Sequence, residues 1–565
     1  MKAKVKKALL ETIKALYSTE INGFSLEPPR EESYGDYATN VAFLLAKSLR
    51  KNPQEIAQEI ANKLSNEGLS AEALKGFINI RLKEGFLQEE FSRLFKEGSS
   101  YFFEPVERPL YMQVEFVSAN PTGPLHVGHG RGAVVGDVLS RILKRFGHKV
   151  VREYYINDAG NQVYMLGLSV VYRYYELLGK EEENIKKVFE EEGYKGKYVI
   201  RLAKDLKAFY GEKLLHMPIE EAINIAKEYA YKRLLEDIKE TLDSMDVAFD
   251  VWFSERSLYE KGVVEEAIRE LERRGYVYEK DGALWFKSSA FGDDKDRVLK
   301  KSDGSYTYFA GDVAYHYEKF KRGFEKVINL WGADHHGYEK RLMGALRALG
   351  IPEDWLVVEF VQMVRLISEG QEVRMSKRTG EFITLADLLE EVGKDAVRFV
   401  FLTRSSDTPL DFDIDLVKKK TSENPVFYVQ YAHARVRGVF REVKERYGID
   451  ADKEDLVPYV KHLSSQEDLG LMKRCLYLKD VYEGVLNTFS PHLITYALLD
   501  LAKDFSASVF RNMMAKSNIK KSMVNFLSSL KSSFSIFASS SIFKSCKSAF
   551  VASSFVSSYM ASRAS

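Results

Sequence analysis

Around residue 130 the spacing of apolar residues changes from a strand pattern to a helical pattern and back to a strand pattern. Tyr111 to Ser118 is a β-rich run, and a turn with two prolines and a glycine follows it. Residues 128–146 then place their apolar side chains at helical spacing, and Lys149 to Ile156 returns to a strand pattern. This order predicts a βαβ unit of the nucleotide-binding type, with His126 and His129 where the first strand leads into the helix.

The same kind of pattern divides the rest of the chain. Residues 1–100 alternate helical and extended segments, and 163–250 is a charged helical stretch whose charges are typical of a solvated face. Strand character returns at 245–255, and the sequence is helical from about 386 to 505. The final segment, 506–565, holds 20 serines and no Asp, Glu, Gly, Pro, Gln or His. A low-complexity functional tail is one interpretation, but the abrupt change of composition favours translation in a wrong reading frame or an artefact.

Charge balance and cysteine content narrow the classes of protein. Lys and Arg total 83 against 82 Asp and Glu, so any nucleic-acid surface must be a local patch. The two cysteines, Cys475 and Cys546, are too few for a disulfide scaffold or a four-cysteine zinc site, and they indicate a reducing cytosol. No run is long and apolar enough to span a membrane. The basic first 17 residues contain Glu11 and fit the first helix of a domain better than a targeting peptide.

Two histidines at the start of a helix are suited to binding phosphate. A helix N-terminus presents free N–H groups and partial positive charge, and His126 and His129 can donate hydrogen bonds to charge that develops on a phosphoryl group. A structural turn with satisfied histidines is the first alternative. A two-histidine metal site is the second, but neither cysteines nor an HExxH motif support it, so no bound metal is expected.

A second cationic motif, QEVRMSKRTGE at 371–381, lies about 250 residues after the histidines. Arg374, Lys377 and Arg378 fall within five residues, which makes a strong electrostatic site for phosphates, with a solvated basic turn as the alternative. A predicted strand ending at Gly332 precedes an Asp-His-His triplet that suits a ribose and a base. The triplet is also similar to a phosphoesterase metal motif, but the further aspartates of that motif are missing.

Together these motifs resemble the bacterial arginyl-tRNA synthetases, which are class I aminoacyl-tRNA synthetases. The strings VEFVSANPTGPLHVGHGRG and REYYINDAGNQ carry the HIGH-type motif, and RMSKR resembles the KMSKS loop with Arg374 in place of the first lysine. The resemblance covers about residues 1–505. It implies ATP with Mg²⁺, L-arginine and the tRNA for arginine as substrates, and a cytoplasmic, monomeric enzyme with no membrane partner.

The resemblance also implies the fold and its division into domains. The expected fold class is α/β: a Rossmann-type nucleotide-binding catalytic domain with a helical insertion, an N-terminal α+β domain and a C-terminal helical bundle. The expected division is 1–100 for contact with the tRNA elbow, 110–385 for catalysis with the insertion at about 163–250, 386–505 for the anticodon, and 506–565 as an aberrant serine-rich tail.

Functional residues of the family carry over to matching positions of this sequence. Catalysis is implied for His126, His129, Arg374 and Lys377. ATP binding is implied for His126, Gly128, His129, Asp334, His335, Met375, Ser376, Lys377 and Arg378. Arginine binding is implied for Glu115, Asn120, His126, Tyr308 and Asp312. Contact with tRNA is implied for Phe77, Asn79, Tyr428, Tyr431 and Arg435.

Each of these assignments has a plainer structural alternative. A guanidinium needs acceptors in a fixed fork geometry, and Asp312 is expected to supply them, although a lone aspartate near a helix start is most often an N-cap. Glu115 lies among apolar neighbours and needs a partner unless it faces outward from a half-exposed strand. Phe77 fits a domain core as well as a tRNA surface. The aromatics of 421–443 divide evenly between core positions and stacking on bases.

The resemblance implies arginine–tRNA ligase activity, with formation of arginyl-adenylate and attack by the 2′-hydroxyl of the terminal adenosine. A cysteine or glutamate synthetase is the runner-up among enzymes. The first usually offers zinc ligands, and the second needs cations that face the substrate side chain. The non-enzymatic alternative is a synthetase-like RNA-binding protein that the altered C-terminus has made inactive.

Overall fold

The chain forms two compact units in its computed structural model. The structure describes residues 1–29, 31–65, 68–373, 383–448, 450, 453, 455 and 457–514. Among the described residues, the first unit contains those of 1–104, 427–489 and 493–514, and the second contains those of 105–426 and 490–492. Among the described helices, none is both long and apolar enough to cross a membrane.

The strands and helices are numbered in chain order. The strands are β1 Leu26–Glu27, β2 Tyr37–Thr39, β3 Leu69–Leu74, β4 Phe77–Leu82, β5 Tyr111–Glu115, β6 Lys149–Ile156, β7 Val251–Ser254, β8 Val277–Lys280, β9 Ala283–Phe286, β10 Arg297–Lys300, β11 Lys326–Gly332, β12 Leu356–Val361, β13 Val364–Ser368, β14 Gln371–Glu372 and β15 Leu410–Asp413. The α-helices are α1 Lys2–Tyr17, α2 Val41–Leu49, α3 Pro53–Leu64, α4 Glu84–Glu97, α5 Val127–Arg145, α6 Asn161–Leu177, α7 Glu183–Glu192, α8 Lys197–Tyr210, α9 Ile219–Ser244, α10 Arg256–Glu260, α11 Val263–Arg273, α12 Tyr308–Lys321, α13 His336–Ala348, α14 Leu385–Val392, α15 Lys394–Val400, α16 Ile414–Lys418, α17 Pro425–Tyr447, α18 Gln466–Thr488 and α19 His492–Met514.

Five parallel strands form the central sheet of the second unit, in the order β12-β11-β5-β6-β7. The chain enters at β5 in the middle, continues outward to β6 and β7, and returns to the other side of β5 for β11 and β12. The order therefore reverses between β5 and β11. In open α/β sheets, ligands bind at the carboxyl ends of the strands beside such a reversal.

Two glycines allow helix α5 to pack closely against the elements on either side of it. A Cβ atom on Gly136 would lie 2.2 Å from Cγ of the Phe116 ring, so only a residue without a side chain fits there. At Gly130, a Cβ would lie 2.5 Å from a methyl of Leu385 and 2.9 Å from the Phe401 ring. The helix is thus held between the sheet on one side and the start of α14 on the other.

The helical insertion forms a layer with its own core. Helices α6, α8 and α9 pack together through buried apolar residues that include Leu166, Leu202 and Leu234. The Tyr198 hydroxyl donates to the backbone oxygen of Thr122 at 2.8 Å, which joins α8 to the turn that precedes α5. Two small sheets complete the second unit: antiparallel β10-β9-β8, and β14-β13-β15, in which β13 and β15 are parallel.

The first unit joins the N-terminal sheet, β1-β2-β4-β3, to helices from the end of the chain. Its helix α18 packs against α4. Asp480 of α18 accepts a hydrogen bond from the Tyr37 hydroxyl, and Lys473 Nζ lies 2.8 Å from Asp36 Oδ1. Residues that are more than 400 positions apart in sequence therefore share one folded body.

The fold class predicted from the sequence is confirmed, and several elements match closely. The strand at Lys149–Ile156 and the Thr384–Asp387 capping box both occur as predicted. The prediction that the chain is entirely helical after residue 386 is wrong, because β15 lies in this region and pairs in parallel with β13. The bundle helix α19 also continues to Met514, beyond the change of composition at 506.

Substituting the two α5 glycines that differ in packing tests this description. Gly136→Ala is expected to destabilise the protein by about 1–3 kcal/mol, because the new methyl overlaps the Phe116 ring. Gly132→Ala is the matched control: its Cβ would meet no atom within 4 Å, and alanine favours a helix by about 0.5–1 kcal/mol over glycine. Denaturant unfolding of both variants measures the difference. Equal effects would contradict the close packing of α5 on β5.

Candidate active site

The first turn of α5 holds both predicted histidines in one hydrogen-bonded arrangement. His126 is the N-cap; its Nδ1 accepts from the Gly128 N–H at 3.1 Å, and the His126 N–H donates to Nδ1 of His129 at 3.2 Å. The two rings stack with their centroids 3.6 Å apart. Because each Nδ1 accepts a hydrogen bond, each ring carries its hydrogen on Nε2, where it can be donated to an anion.

Helix α5 is tied to the chain around β13 and β15 through a buried arginine. The Arg131 guanidinium donates to the backbone oxygens of Gln362 at 3.0 Å, Ser405 at 2.7 Å and Thr408 at 2.8 Å. Burial lowers the pKa of Arg131 to about 10, against the opposing effect of Asp407, so the group remains charged at neutral pH. Arg131 thus fixes the histidine-bearing turn relative to the second small sheet.

The described residues on either side of the predicted basic loop lie beside β14 and beside the turn that carries the histidines. Arg374, Met375, Ser376, Lys377 and Arg378 lie outside the described residues. On one side, the Val373 N–H donates to the Leu366 oxygen at 2.8 Å, beside β14. On the other side, Thr384 forms an isolated antiparallel bridge with His126, and the Leu385 N–H donates to the Leu125 oxygen at 2.8 Å. The chain therefore returns from the loop directly to the turn that carries the histidines.

Helix α12 presents Asp312 one turn after its start. Thr307 is the N-cap, since its hydroxyl accepts from the Ala310 N–H at 3.3 Å, so the alternative that Asp312 caps a helix is wrong. The Tyr338 hydroxyl donates to Asp312 Oδ2. Burial raises the pKa of Asp312 to about 6; the Tyr338 hydrogen bond opposes this, and the charge of Glu115 adds to it. Tyr308, 63% exposed, lies in the first turn, beside Gly160.

A second acid, Glu255, lies directly after β7 and beside α12. It is 4% exposed, and a Cβ atom on Gly311 would lie 3.7 Å from its Oε1. The Tyr259 hydroxyl donates to Oε1 at 3.4 Å, and the Asn157 amide, oriented to donate, lies 2.8 Å from Oε2. Burial raises the pKa of Glu255 to about 7, and the charges of Asp312 and Asp158 act in the same direction.

Glu115 ends β5 at the same edge but is already paired. Its Oε2 accepts from the buried Lys319 ammonium at 2.6 Å and its Oε1 from the Ser118 hydroxyl at 3.0 Å. The outward-facing alternative for Glu115 is therefore wrong, because the carboxylate is buried. Backbone strain lies in the turn that follows: Val117 and Ser118 have φ angles of 69° and 40°, which β-branched valine rarely adopts.

Asn120 and the predicted adenosine-binding residues lie on the surface of this edge. The Asn120 amide donates to Gln162 Oε1 at 2.6 Å, which joins the strained turn to the start of α6. Asp334 and His335 follow β11 in a short 3-10 helix and are mostly exposed, with His335 Nε2 at 3.7 Å from Asp334 Oδ2. Within the described ranges, no three His, Cys, Asp or Glu side chains lie close enough together to hold a metal ion.

One edge of the sheet therefore combines two opposite chemistries. The turn before α5 places the Nε2–H groups of two imidazoles at the positive end of a helix dipole, which suits phosphate. The ends of β7 and α12 offer two carboxyl groups held by neutral hydroxyl and amide donors, which suit a cation. A substrate with an anionic and a cationic end, or an anionic and a cationic substrate together, matches this arrangement.

Comparisons with known proteins identify the family. The family model for the class I (R) tRNA synthetase catalytic domain matches residues 107–410, the arginyl tRNA synthetase N-terminal domain matches 2–82, and the DALR anticodon binding domain matches 429–525. An arginine–tRNA ligase of Aquifex aeolicus is 54% identical over 537 residues, which are 89% of this chain and 92% of that protein. The chain belongs to the arginyl-tRNA synthetase family.

Solved structures of the synthetase family agree with the fold. A Campylobacter jejuni protein assigned to the arginyl-tRNA synthetases is 35% identical, with a TM-score of 0.73, and the match covers 82% of this chain and 98% of that one. The Thermus thermophilus arginyl-tRNA synthetase superposes with the same TM-score at 22% identity, covering 95% of this chain and 97% of that one, which shows a shared fold.

The residues predicted for tRNA contact lie on two surfaces of the first unit. Phe77 is 46% exposed and makes an edge-to-face contact with Phe43 at 5.1 Å, so the core alternative for Phe77 is wrong. Its β4 neighbour Asn79 is half-buried. On α17, Tyr431 is 40% exposed and lies 5.8 Å from the Arg435 guanidinium. Tyr428 is half-buried, and the buried positions among the described side chains of α17 are Val426, Val429, Ala432, Val436 and Phe440.

Three residues of the site were absent from the sequence predictions: Glu255, Lys319 and Arg131. Glu255 had a detectable signal, since it is an acid that directly follows a predicted strand, where sites of α/β sheets lie. Lys319 and Arg131 had weaker signals. Each is a cation in an otherwise apolar helix face, and their partners are 204 and up to 277 positions away in sequence.

Substituting Glu255 should change the pH dependence of stability. The pKa of Glu255 in the folded protein is above its ordinary value of 4.5. The free energy of unfolding therefore falls as the pH rises from about 5 through 7, because in this range the carboxyl ionises in the unfolded chain but keeps its proton in the folded protein. Glu255→Gln should therefore stabilise the substrate-free protein at pH 8, on the order of 2 kcal/mol, and little at pH 5.

The measurement is thermal or denaturant unfolding of both proteins at the two pH values. Glu260→Gln, at the end of the short helix α10 that follows Glu255, is the matched control, because that side chain is exposed. Equal stabilisation by Glu255→Gln at pH 5 and pH 8 would contradict a buried carboxyl that retains its proton.

Proposed function

We propose that this chain, an arginine–tRNA ligase by family, activates L-arginine with ATP at the carboxyl edge of the five-stranded sheet and transfers it to the tRNA for arginine. One observation carries the proposal: phosphate-type donors before α5 and guanidinium-type acids at β7 and α12 share that edge. In the first step an arginine carboxylate oxygen attacks the α-phosphorus, the bond to the bridging oxygen breaks, and pyrophosphate leaves.

The phosphate side of the reaction is assigned to the turn before α5 and to the basic loop. His126 and His129 donate from Nε2 to the phosphate oxygens, and the close approach of Gly128 to the nucleotide is possible because it has no side chain. Arg374, Lys377 and Arg378, with Met375 and Ser376, are proposed to hold the outer phosphates. Mg²⁺ enters with ATP, and Asp334 and His335 are proposed to contact the adenosine.

The cationic side of the reaction is assigned to Asp312 and Glu255. Two acids beside each other are costly when both are ionised, and a guanidinium that donates hydrogen bonds to both carboxylates removes this cost. Tyr308, exposed at the start of α12, is proposed to contact the arginine, and Asn120 is proposed to hold the α-amino and carboxylate groups of the amino acid. Glu115, predicted as a direct contact, has Lys319 as its ionic partner and is proposed to support the pocket.

Contact with tRNA is assigned to the first unit. Phe77 and Asn79, within the predicted 1–100 domain, are proposed to meet the tRNA elbow, and Tyr431 and Arg435, with Tyr428, to meet the anticodon within 386–505. Aromatic rings stack on unpaired bases, and arginines bind phosphates. Action as a monomer in the cytoplasm stays a prediction from the family resemblance.

The other functions considered fit the chain less well. High identity to arginine–tRNA ligases over most of the chain favours the ligase over an inactive RNA-binding protein. A glutamate synthetase would need cations that face the substrate side chain, whereas this pocket offers Asp312 and Glu255.

His129→Ala should reduce kcat for ATP–pyrophosphate exchange by about 10²–10³, the usual loss when one transition-state hydrogen-bond donor is removed. The KM for arginine should change little, because His129 lies on the phosphate side. The assay contains tRNA, since adenylate formation in this family can depend on it. His216→Ala, an exposed histidine of the insertion, is the matched control. Turnover close to that of the unsubstituted enzyme would remove His129 from the mechanism.

Asp312→Asn should reduce kcat/KM for arginine far more than for ATP, because a charge-assisted pair with a buried guanidinium costs about 2–5 kcal/mol to lose. Asp303→Asn is the control, since Asp303 is an exposed aspartate of the preceding turn that bonds only to Ser305. Both substrates are titrated separately at saturating tRNA. Equal losses for arginine and ATP would mean that Asp312 does not bind the arginine side chain.

A further inference from the structure

A row of polar residues crosses three neighbouring strands beneath helix α12. Glu153 of β6 is paired in register with Glu115 of β5, and Glu115 with Asn329 of β11. All three side chains are buried. Two carboxylates and an amide in the interface between a sheet and a helix need partners, because a buried charge without one is strongly destabilising.

Helix α12 and its last turn supply those partners in matching order. Lys319, 0% exposed, donates from Nζ to Glu115 Oε2 at 2.6 Å and to Asn329 Oδ1 at 2.9 Å. Arg322, just after the helix, donates to both oxygens of Glu153 at 2.6 and 2.8 Å. Each acid of the row thus has one cation from α12 or its end. The row and its two cations together carry no net charge.

The row continues through α12 to the proposed arginine pocket. Asn329 Nδ2 lies 2.7 Å from His316 Nε2, and His316 Nδ1 lies 2.8 Å from the backbone oxygen of Asp312. An amide nitrogen can only donate and a carbonyl can only accept, so His316 carries its hydrogen on Nδ1. Hydrogen bonds therefore run without a break from Glu115 through Lys319, Asn329 and His316 to the helical turn that carries Asp312.

We infer that Lys319 is a positioning residue for arginine recognition: by pairing with Glu115 it fixes α12 on the sheet and leaves Asp312 and Glu255 as the acids that face the guanidinium. This inference rests on the proposed function of the site. The alternative is that Glu115 itself binds the guanidinium. In that case, removing the Glu115 charge would weaken arginine binding whether or not Lys319 is present.

A double-substitution cycle separates the two possibilities. Lys319→Met leaves Glu115 buried without its cation, and Glu115→Gln leaves Lys319 without its anion. Each single variant should lower kcat/KM for arginine by about 30-fold or more, with KM for ATP nearly unchanged. The double variant removes both charges together and should recover to within about 5-fold of the unsubstituted enzyme, because a buried pair can often be replaced as a unit.

Lys321→Met is the matched control, since Lys321 is an exposed lysine of the same helix, paired with Glu266 on the surface. Circular dichroism and thermal unfolding accompany each assay, and the double variant keeps the test valid if a single variant fails to fold. A folded double variant as weak for arginine as Glu115→Gln would overturn the inference and favour direct contact by Glu115. Equal losses for ATP and arginine would also overturn it, since the pair would then act on the fold alone.

The failure of this inference and of the proposed function can be told apart. If Asp312→Asn leaves arginine use intact, the assignment of the pocket fails, whatever the double variant does. If Asp312→Asn impairs arginine use and the double variant does not recover, only the role of Lys319 fails.

Discussion

Charge compensation at the carboxyl edge of the central sheet determines how this site is built. Glu115 and Glu153 are buried under α12, and each has a cation supplied by that helix or its end. Asp312 and Glu255 lie at the same edge but are held by neutral hydroxyl and amide groups. An acid with a cation of its own holds the structure together, whereas an acid held by neutral donors retains its affinity for an external cation. Acidic residues therefore have two different roles at one edge of the sheet.

The anionic and cationic sides of the site depend on different anchors. Helix α12 is fixed by ion pairs to the sheet, while α5 is fixed by Arg131, which donates to backbone oxygens just before β13 and just before β15, and by the close contact of Gly130 with Leu385. Backbone oxygens are acceptors that no substitution can remove, so this anchor is insensitive to the sequence of its partner segments. Adenylate formation needs the carboxylate of one substrate in line with the phosphorus of the other. Rigid anchoring of both helices to one sheet satisfies that need.

Local signals account for the parts of the fold and site that the sequence predicted. The strand at Lys149–Ile156, the helix after His126 and the Thr384–Asp387 box each depend on residues within a few positions of one another. Glu255, Lys319 and Arg131 depend on contacts with Asn157, Glu115 and Thr408, which lie about 100, 204 and 277 positions away, and periodicity does not encode such contacts. The four-residue strand β15 was missed for the same reason, since its parallel partner β13 lies about 45 positions earlier.

The end of the bundle shows why composition and folding must be judged separately. The composition changes at residue 506, and this change favoured a tail that the fold does not use. Helix α19 nevertheless passes through that position and ends at Met514, and the anticodon-binding family model matches to residue 525. Serine is tolerated in a helix at a modest cost, while the apolar residues Leu498, Leu501 and Phe505 bury one face and set the helix direction. A helix that begins on a buried face can therefore continue into a segment whose own composition would not have predicted it.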